Sequence, residues 1–160
     1  MPSDAADDEL HVYIDGASRG NPGPAGIGVV VKDRQGITLA EISEPIGQCT
    51  NNAAEYHALL RGLREAKLLG ARTVRVFSDS ELLVRQCNGE YKVKSAALRA
   101  LFSDALALCR EFEHAFVEQV AREDNELADR LARQAARAAA RRPARRGSGP
   151  VDLGRAGERH

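Results

Sequence analysis

The chain is poor in aromatic and sulfur-containing residues. Among its 160 residues it has no tryptophan, three tyrosines, four phenylalanines and one methionine. The three cysteines, Cys49, Cys87 and Cys109, are odd in number and widely spaced, so they form neither a zinc-binding pattern nor a disulfide framework. We interpret them as small apolar packing residues in a reducing compartment, and we expect a cytoplasmic protein.

Long apolar runs and net charge are also missing. No run approaches the roughly 20 apolar residues that span a bilayer, and the acidic N-terminal segment lacks the apolar stretch of a secretory signal. We therefore expect no membrane association. Lys and Arg together number 23, as do Asp and Glu, so the formal net charge is zero. This is not the evenly basic domain expected of a tight nucleic-acid binder.

The charge is unevenly distributed along the chain. Residues 137–160 contain seven arginines and two acids, a net of +5, so the first 136 residues carry a net of −5. After residue 140 the sequence loses its apolar periodicity. We predict an acidic disordered leader at residues 1–8, one folded domain at 9–140 and a disordered Arg-rich tail at 141–160.

The hydrophobic pattern predicts an alternation of strands and helices. Predicted strands cover residues 10–14, 27–31, 37–42, 74–76 and 115–120, and predicted helices cover 52–69, 81–87, 96–112 and 125–140. The stretch from 16 to 28, rich in Gly and Pro, predicts a tight turn between strands. Early hairpins followed by strand–helix–strand units indicate an α/β fold, with a mixed five-stranded sheet flanked by helices.

Four carboxylates stand at the boundaries of these predicted elements. Asp15 and Asp79 end strands, whereas Glu55 and Asp129 lie near the starts of helices. Acids at strand ends and helix starts can converge on one cleft. Converging hard oxygen ligands bind Mg²⁺ or Mn²⁺, and two such ions can drive phosphodiester cleavage.

Each acid also has a purely structural interpretation. Asp15 could begin an Asx turn, and Asp79 could cap the helix that follows it. Glu55 could close a capping box with Asn52, three residues earlier. Asp129 could be a solvated acid in the first turn of its helix. Taken singly, none of the four establishes a metal site.

The sequences around the four acids resemble the motifs of type 1 ribonucleases H. Residues 15–28 (DGASRGNPGPAGIG) resemble the first motif of that family and residues 50–56 (TNNAAEY) the second. Residues 78–86 (SDSELLVRQ) resemble the third motif and residues 122–132 (REDNELADRLA) the fourth. The resemblance covers roughly residues 10–136, and the motifs occur in the family's order.

The resemblance implies a ribonuclease H-like fold and an endonuclease that cleaves the RNA strand of RNA–DNA hybrids. The products would carry 5′-phosphate and 3′-hydroxyl ends. Asp15 would bridge two Mg²⁺ or Mn²⁺ ions. Glu55 and Asp79 would complete the ion nearer the leaving group, and Asp129 would help to hold the ion that carries the attacking water. Double-stranded RNA stays open as a minor substrate, and we expect a monomer.

The resemblance also implies a set of substrate contacts. Asn51 and Asn52 match asparagines that contact the groove of the hybrid, and Thr50 matches a residue that contacts a DNA phosphate. Amide groups supply both donors and acceptors for 2′-hydroxyls and base edges. The full predicted set is Gly16, Ala17, Ser18, Asn21, Thr50, Asn51 and Asn52.

Two departures from the family pattern alter these expectations. Many relatives carry a basic, Trp-containing insertion that binds the hybrid, whereas here the short segment 88–95 connects the two helices without such an insertion. The chain thus resembles members that lack the basic protrusion, and weak intrinsic affinity is our hypothesis. Many relatives also carry a His before the last Asp; here Arg122 and Glu123 are the nearby candidates for an auxiliary role.

Two other functions compete with this interpretation. One is a module that binds hybrids without cutting them, which the presence of all four acids disfavours. The other is a nuclease of the same fold with a different substrate. The Gly-Ala-Ser segment after Asp15 and the Asn51–Asn52 pair favour hybrids.

Overall fold

The computed structural model describes residues 8–141 as a sheet with helices on both faces. The strands are β1 (Glu9–Ser18), β2 (Gly23–Lys32), β3 (Thr38–Cys49), β4 (Thr73–Ser78) and β5 (His114–Gln119). The helices are α1 (Asn51–Leu68), α2 (Glu81–Cys87), α3 (Ala96–Cys109) and α4 (Glu126–Arg141). A short 3₁₀ helix, Arg122–Asn125, leads directly into α4. Within this part of the chain, no helix is long and apolar enough to cross a membrane.

The five strands form one mixed sheet in the order β3-β2-β1-β4-β5. β2 pairs antiparallel with β1 and β3, whereas β4 pairs parallel with β1 and β5. The predicted mixed five-stranded sheet flanked by helices is therefore confirmed. Since Tyr13 pairs with Phe77, Asp15 and Asp79 each lie two residues beyond the last pair, at the same edge of the sheet.

One face of the sheet is covered by α1. Val12 and Ile14 of β1 are fully buried, as are Leu59 and Leu63 on the inner face of α1. Gly62 lets the helix approach closely, because a Cβ there would lie 2.7 Å from Cγ1 of Val12. This packing places the N-terminal end of α1 beside the C-terminal end of β1.

The opposite face is covered by α4, which packs on β2 through small residues. A Cβ on Gly28 would lie 2.1 Å from the carbonyl oxygen of Ala128, and one on Gly26 would lie 2.3 Å from the backbone nitrogen of Ala136. No side chain fits at these glycines without moving the helix. This close contact holds the first turns of α4, which carry Asp129, against the sheet.

The tight turn predicted over residues 16–28 is wrong. β1 continues to Ser18 and β2 begins at Gly23, so only residues 19–22 connect them. The misinterpretation has a physical cause: several of these glycines occupy strand positions where another element approaches closely, rather than turn positions. Gly26 and Gly28 beneath α4 show this directly.

Other predicted boundaries differ less. β3 extends to Cys49 instead of ending at residue 42, and it tolerates Pro45 because it is an edge strand. α3 ends at Cys109 rather than at 112. The predicted leader and tail lie outside the described residues, apart from Asp8 and Arg141, so their boundaries stay predictions.

Candidate active site

Three of the four acids meet at one edge of the sheet. Asp15, Glu55 and Asp79 each offer a carboxylate oxygen, and these oxygens lie within 4.8 Å of one another. Asp15 and Glu55 are each only 6% exposed, whereas Asp79 is half-buried. Parallel pairing of β1 with β4 brings the two aspartates together, and α1 supplies the glutamate from above β1.

Glu55 is fixed by the backbone of β1. The Gly16 backbone N–H donates to Glu55 Oε1 at 3.1 Å. A Cβ on Gly16 would lie 2.3 Å from the carbonyl carbon of Ala54, so only glycine allows α1 to approach this closely. Gly16, predicted to contact substrate, therefore has a structural role in shaping the acid cluster.

The alternative in which Asn52 and Glu55 form a capping box is wrong. Thr50 is the N-cap of α1, and its Oγ1 accepts from the backbone N–H of Ala53 at 3.1 Å. Asn52 already lies inside the first turn and is exposed. Glu55 cannot reach back to the cap because its carboxylate bonds to Gly16 across the interface with β1.

Asp79 is not the cap of the helix that follows it. That cap is Ser80, whose Oγ accepts from the backbone N–H of Leu83 at 3.2 Å. Asp79 is left facing the acid cluster, and its Oδ2 accepts from Nδ2 of Asn125 at 3.1 Å. Asn125 lies within the fourth motif, but sequence reasoning assigned it no role.

Asp129 joins the cluster from α4. Its carboxyl group lies within hydrogen-bonding range of the Asp15 carboxyl. It also forms an ion pair with Arg133 at 2.8 Å, one helical turn away, and its side chain is 26% exposed. Asp129 therefore forms the solvated ion pair expected from its helical position and also belongs to the acid cluster.

The acids of the cluster shift one another's pKa values. Burial, with the nearby Glu55 carboxylate, raises the pKa of Asp15 above its ordinary range. Burial and Asp79 likewise raise the pKa of Glu55, although the Gly16 N–H and the Arg122 guanidinium oppose the shift. Burial also pushes the pKa of Asp129 upwards, but its hydrogen bonds to Arg133 and Asp15 outweigh this, so its pKa is lowered.

The donor set suits a hard divalent cation. All ligand atoms of the described three-residue group are carboxylate oxygens, and neither His nor Cys belongs to it. Such a set favours Mg²⁺ or Mn²⁺ over softer metals. A cation would neutralise charges that burial makes costly, so the raised pKa values of Asp15 and Glu55 fit a site built for a positive ligand.

Several predicted substrate contacts form one network beside the acids. Asn51 Oδ1 accepts from the Ser18 backbone N–H at 3.3 Å, and the Asn51 N–H donates to Asn21 Oδ1 at 3.0 Å. The Ser18 hydroxyl donates to the Cys49 carbonyl at 2.9 Å. The network therefore fastens the end of β1, next to Ala17, and the β1–β2 connection to the start of α1.

The two auxiliary candidates lie in the 3₁₀ helix before α4. The Arg122 guanidinium is close enough to lower the pKa of both Glu55 and Asp129, so it lies near both sides of the cluster. Glu123 is exposed to solvent. The structure therefore ties Arg122 electrostatically to the acids.

A groove between α2 and the start of α3 was missed by sequence reasoning. It has a volume of about 550 Å³ and is lined by Leu82, Gln86, Glu90, Tyr91, Lys92, Lys94, Ser95 and Leu98. Tyr56 follows Glu55 in α1. Its hydroxyl donates to Gln86 Oε1 at 2.8 Å, which links the wall of the groove to α1. The closely spaced Tyr91, Lys92 and Lys94 were the available signal.

Comparison with known proteins agrees with the motifs. Residues 13–135 match the protein family described as reverse transcriptase-like. The bifunctional protein Rv2228c of Mycobacterium tuberculosis is 48% identical over 122 residues, covering 76% of this chain and 34% of that protein. Ribonuclease HI of Halobacterium salinarum is 40% identical over 123 residues, covering 77% of this chain and 62% of that protein. The chain thus spans about a third of the first relative's length and under two thirds of the second's.

A solved structure shows the same fold. LC11-RNase H1, solved in complex with an RNA/DNA hybrid, superposes with a TM-score of 0.77 at 43% identity, covering 81% of this chain and 98% of that one. The family match from residue 13 to residue 135 includes all four motifs. The chain therefore belongs to the type 1 ribonuclease H family.

Proposed function

We propose that the chain is a metal-dependent endoribonuclease that cleaves the RNA strand of RNA–DNA hybrids, leaving 5′-phosphate and 3′-hydroxyl ends. The observation that carries this proposal is the convergence of Asp15, Glu55 and Asp79 within 4.8 Å, with Asp129 adjoining Asp15. LC11-RNase H1, a relative at 43% identity, has been solved with such a hybrid.

The four acids divide between two cation positions. Two divalent cations would supply an activated water and stabilise the leaving 3′ oxygen. Asp15 adjoins both the Glu55–Asp79 pair and Asp129, so it would supply ligand oxygens to both ions. Glu55 and Asp79 would hold the ion nearer the leaving group, and Asp129 would help to hold the ion that carries water.

The network beside the acids suits recognition of ribose. Ser18, Asn21 and Asn51 are held in fixed positions by their mutual hydrogen bonds, and Asn52 is exposed next to them. Amides and backbone groups in this arrangement can bond 2′-hydroxyls, which distinguish RNA from DNA. Thr50 uses its oxygen as the cap acceptor, so its hydroxyl hydrogen is available to a phosphate.

The groove beyond α2 supplies a second contact region. Lys92 and Lys94 line it together with Tyr91, which is 45% exposed. α2 has seven residues, so at 1.5 Å rise per residue it is about 10 Å long. Because α2 begins directly after Asp79 and lines the groove, a duplex bound at the acids would reach the groove as well. Ammonium groups at this distance can neutralise backbone phosphates. Two lysines are fewer than a basic insertion would supply, which is consistent with weak intrinsic affinity.

Arg122 is the auxiliary residue that we propose in place of a loop histidine. Unlike an imidazole, an arginine guanidinium only donates hydrogen bonds and does not act as a proton relay in proteins. Its proximity to Glu55 and Asp129 instead suits attraction of the scissile phosphate and of the 5′-phosphate product. We expect the loss of Arg122 to lower turnover without changing its pH dependence. Both residues are exposed to solvent, and Arg122 has the stronger claim because its charge acts on Glu55 and Asp129.

A substrate panel tests the proposal. Labelled RNA–DNA hybrid, double-stranded RNA, single-stranded RNA and double-stranded DNA are incubated with the protein in Mg²⁺ or Mn²⁺, with Asp15→Asn as the inactive control. We expect cleavage of the RNA strand of the hybrid, with phosphatase-sensitive 5′ ends. Hybrid binding without cleavage in either metal would favour the non-catalytic module. Faster cutting of double-stranded RNA would favour the alternative substrate.

The assembly state and the location are proposals as well. We propose a monomer in the cytoplasm. Sedimentation at assay concentrations tests the first point, and fractionation of the source cells tests the second.

A further inference from the structure

Asn125 is a buried polar residue at the end of the 3₁₀ helix, directly before α4. It is 2% exposed. Its Nδ2 donates to the carbonyl oxygen of Ile14 at 2.9 Å and to Asp79 Oδ2 at 3.1 Å. An amide nitrogen carries two hydrogens, so these two bonds use both. Asn125 thus joins β1, the end of β4 and the start of α4, the three elements that carry the aspartates.

The other end of the same amide is unsatisfied. Asn125 Oδ1 is buried and has no hydrogen-bond partner among the described residues. A buried acceptor without a partner lowers the stability of the folded state, and such groups call for an explanation other than stability. What the side chain supplies is its pair of donors, and one of these is directed at a metal-ligand candidate.

Asp79 needs an external restraint. It lies beyond the end of β4, in the turn before α2, and is only half-buried. Within residues 8–141, the hydrogen bond from Asn125 is the one that its carboxylate accepts. Holding one carboxylate oxygen limits rotation of the side chain and keeps the group turned towards Asp15 and Glu55. Partners of this kind commonly tune metal affinity through the ligand that they orient.

We propose that Asn125 is a positioning residue of the metal site, which orients Asp79 for cation binding and ties the start of α4 to β1. The proposal rests on the metal-dependent function proposed above. It is distinct from that function, because cation binding can be measured without nucleic acid.

The test compares two variants of Asn125 with a matched control. Asn125→Ala removes both donors, and Asn125→Leu removes them while keeping the volume and eliminating the unpaired oxygen. Asn88→Ala is the control, because Nδ2 of Asn88 also donates to a strand carbonyl, that of Val117 at 3.2 Å, on β5. Mn²⁺ affinity is measured by calorimetry on the protein alone. The Mg²⁺ concentration for half-maximal hybrid cleavage and the KM for hybrid are measured separately.

We expect both Asn125 variants to bind Mn²⁺ about tenfold more weakly and to need correspondingly more Mg²⁺, with KM for hybrid at saturating metal changed less than twofold. Asn88→Ala should keep its metal affinity. In an Asp79→Asn background, Asn125→Leu should have almost no further effect on Mn²⁺ binding, because Asn125 acts through Asp79.

Wild-type Mn²⁺ affinity in either folded Asn125 variant would overturn the proposal, as would an equal loss in Asn88→Ala. An undiminished effect of Asn125→Leu in the Asp79→Asn background would also overturn it. If neither variant folds under conditions where Asn88→Ala folds, Asn125 belongs to the fold and not to the metal site. Absence of hybrid cleavage by the wild-type protein would refute the proposed function but leave the calorimetric result to decide on Asn125.

Discussion

Replacing Asp15 with Asn separates the chemistry of the acid cluster from its effect on stability. Asp15 lies within 4.8 Å of Glu55 and Asp79, and it is 6% exposed. Two negative charges at that distance repel each other by roughly 3 kcal/mol at an effective dielectric constant of about 20. The metal-free protein avoids part of this repulsion by retaining protons, so we expect Asp15→Asn to increase the free energy of unfolding by about 1–2 kcal/mol.

The gain should depend on pH. Because the pKa of Asp15 and Glu55 is raised on folding, the native state binds more protons than the unfolded state above the ordinary carboxyl pKa of about 4. Stability from these groups is fully present below that pKa and is lost as pH rises towards the raised values. Asp15→Asn removes one of the coupled groups, so its advantage should be larger near pH 8 than near pH 5.

The assay is thermal unfolding in a chelator at both pH values, followed by hybrid cleavage in Mg²⁺. At about 4 °C per kcal/mol for a domain of this size, the Tm of Asp15→Asn should exceed that of the wild type by roughly 4–8 °C near pH 8. Cleavage should be lost, since the carboxylate that we propose to hold both ions is missing. Substantial Mg²⁺-dependent cleavage by the folded variant would refute the metal assignment. A Tm difference that does not grow with pH would refute the electrostatic argument.

Three further predictions concern the cap of α1, the protons of the buried carboxyls and the Arg-rich tail. Thr50→Ala should lower the free energy of unfolding, measured in urea, by about 1 kcal/mol because it removes the cap of α1. Asn52→Ala should change that free energy by under about 0.5 kcal/mol and should instead raise the KM for hybrid. Equal losses of stability in the two variants would contradict the cap assignment. Binding of Mg²⁺ near pH 7 should release protons from the two buried carboxyls, so the calorimetric enthalpy should vary with the ionisation enthalpy of the buffer; a buffer-independent enthalpy would contradict the raised pKa values. Truncation after Arg141 removes the Arg-rich residues 142–160 and should raise the KM for hybrid and flatten its salt dependence with little change in kcat; an unchanged KM and salt slope would exclude a role of that segment in binding.

The four acids could be predicted because their local contexts carry the information. Asp15 and Asp79 each follow an apolar strand pattern, and parallel strands end at the same edge of a sheet. Glu55 and Asp129 lie near the starts of helices that must pack on that sheet. The joint occurrence of four motifs in order identified the family and favoured one shared cluster over separate structural roles, although Asp129 also forms the ion pair that its helical position predicts.

Asn125 could not be predicted, because its role depends on contacts distant in sequence. Its two hydrogen-bond partners, Ile14 and Asp79, lie 111 and 46 residues away. In the sequence it is an Asn before a helix, where turn or cap formation is the ordinary expectation. The Oδ1 without a partner is likewise visible only when every buried polar atom around it is known.

The glycines of the first motif show a similar limit. Composition indicated one long turn, but Gly16 lies beneath the backbone of α1 and Gly28 beneath that of α4. A glycine needed for a turn and a glycine needed for close packing leave the same letter in the sequence. Here the second requirement applies at both positions, and it brings Glu55 and Asp129 to β1 from opposite faces of the sheet.

The acid cluster makes stability and chemistry oppose each other. Burial of Asp15 and Glu55 beside Asp79 destabilises their charged forms, and the hydrogen bond from the Gly16 N–H to Glu55 offsets only part of this. A ligand that binds only the native state stabilises it by about 2.7 kcal/mol at 100 times its dissociation constant. The free energy gained by binding a divalent cation would thus be comparable in size to the repulsion between the acids of the cluster. Residues that orient the acids, such as Asn125, are therefore best judged by cation affinity rather than by metal-free stability, because only the bound state contains the interaction for which the cluster is arranged.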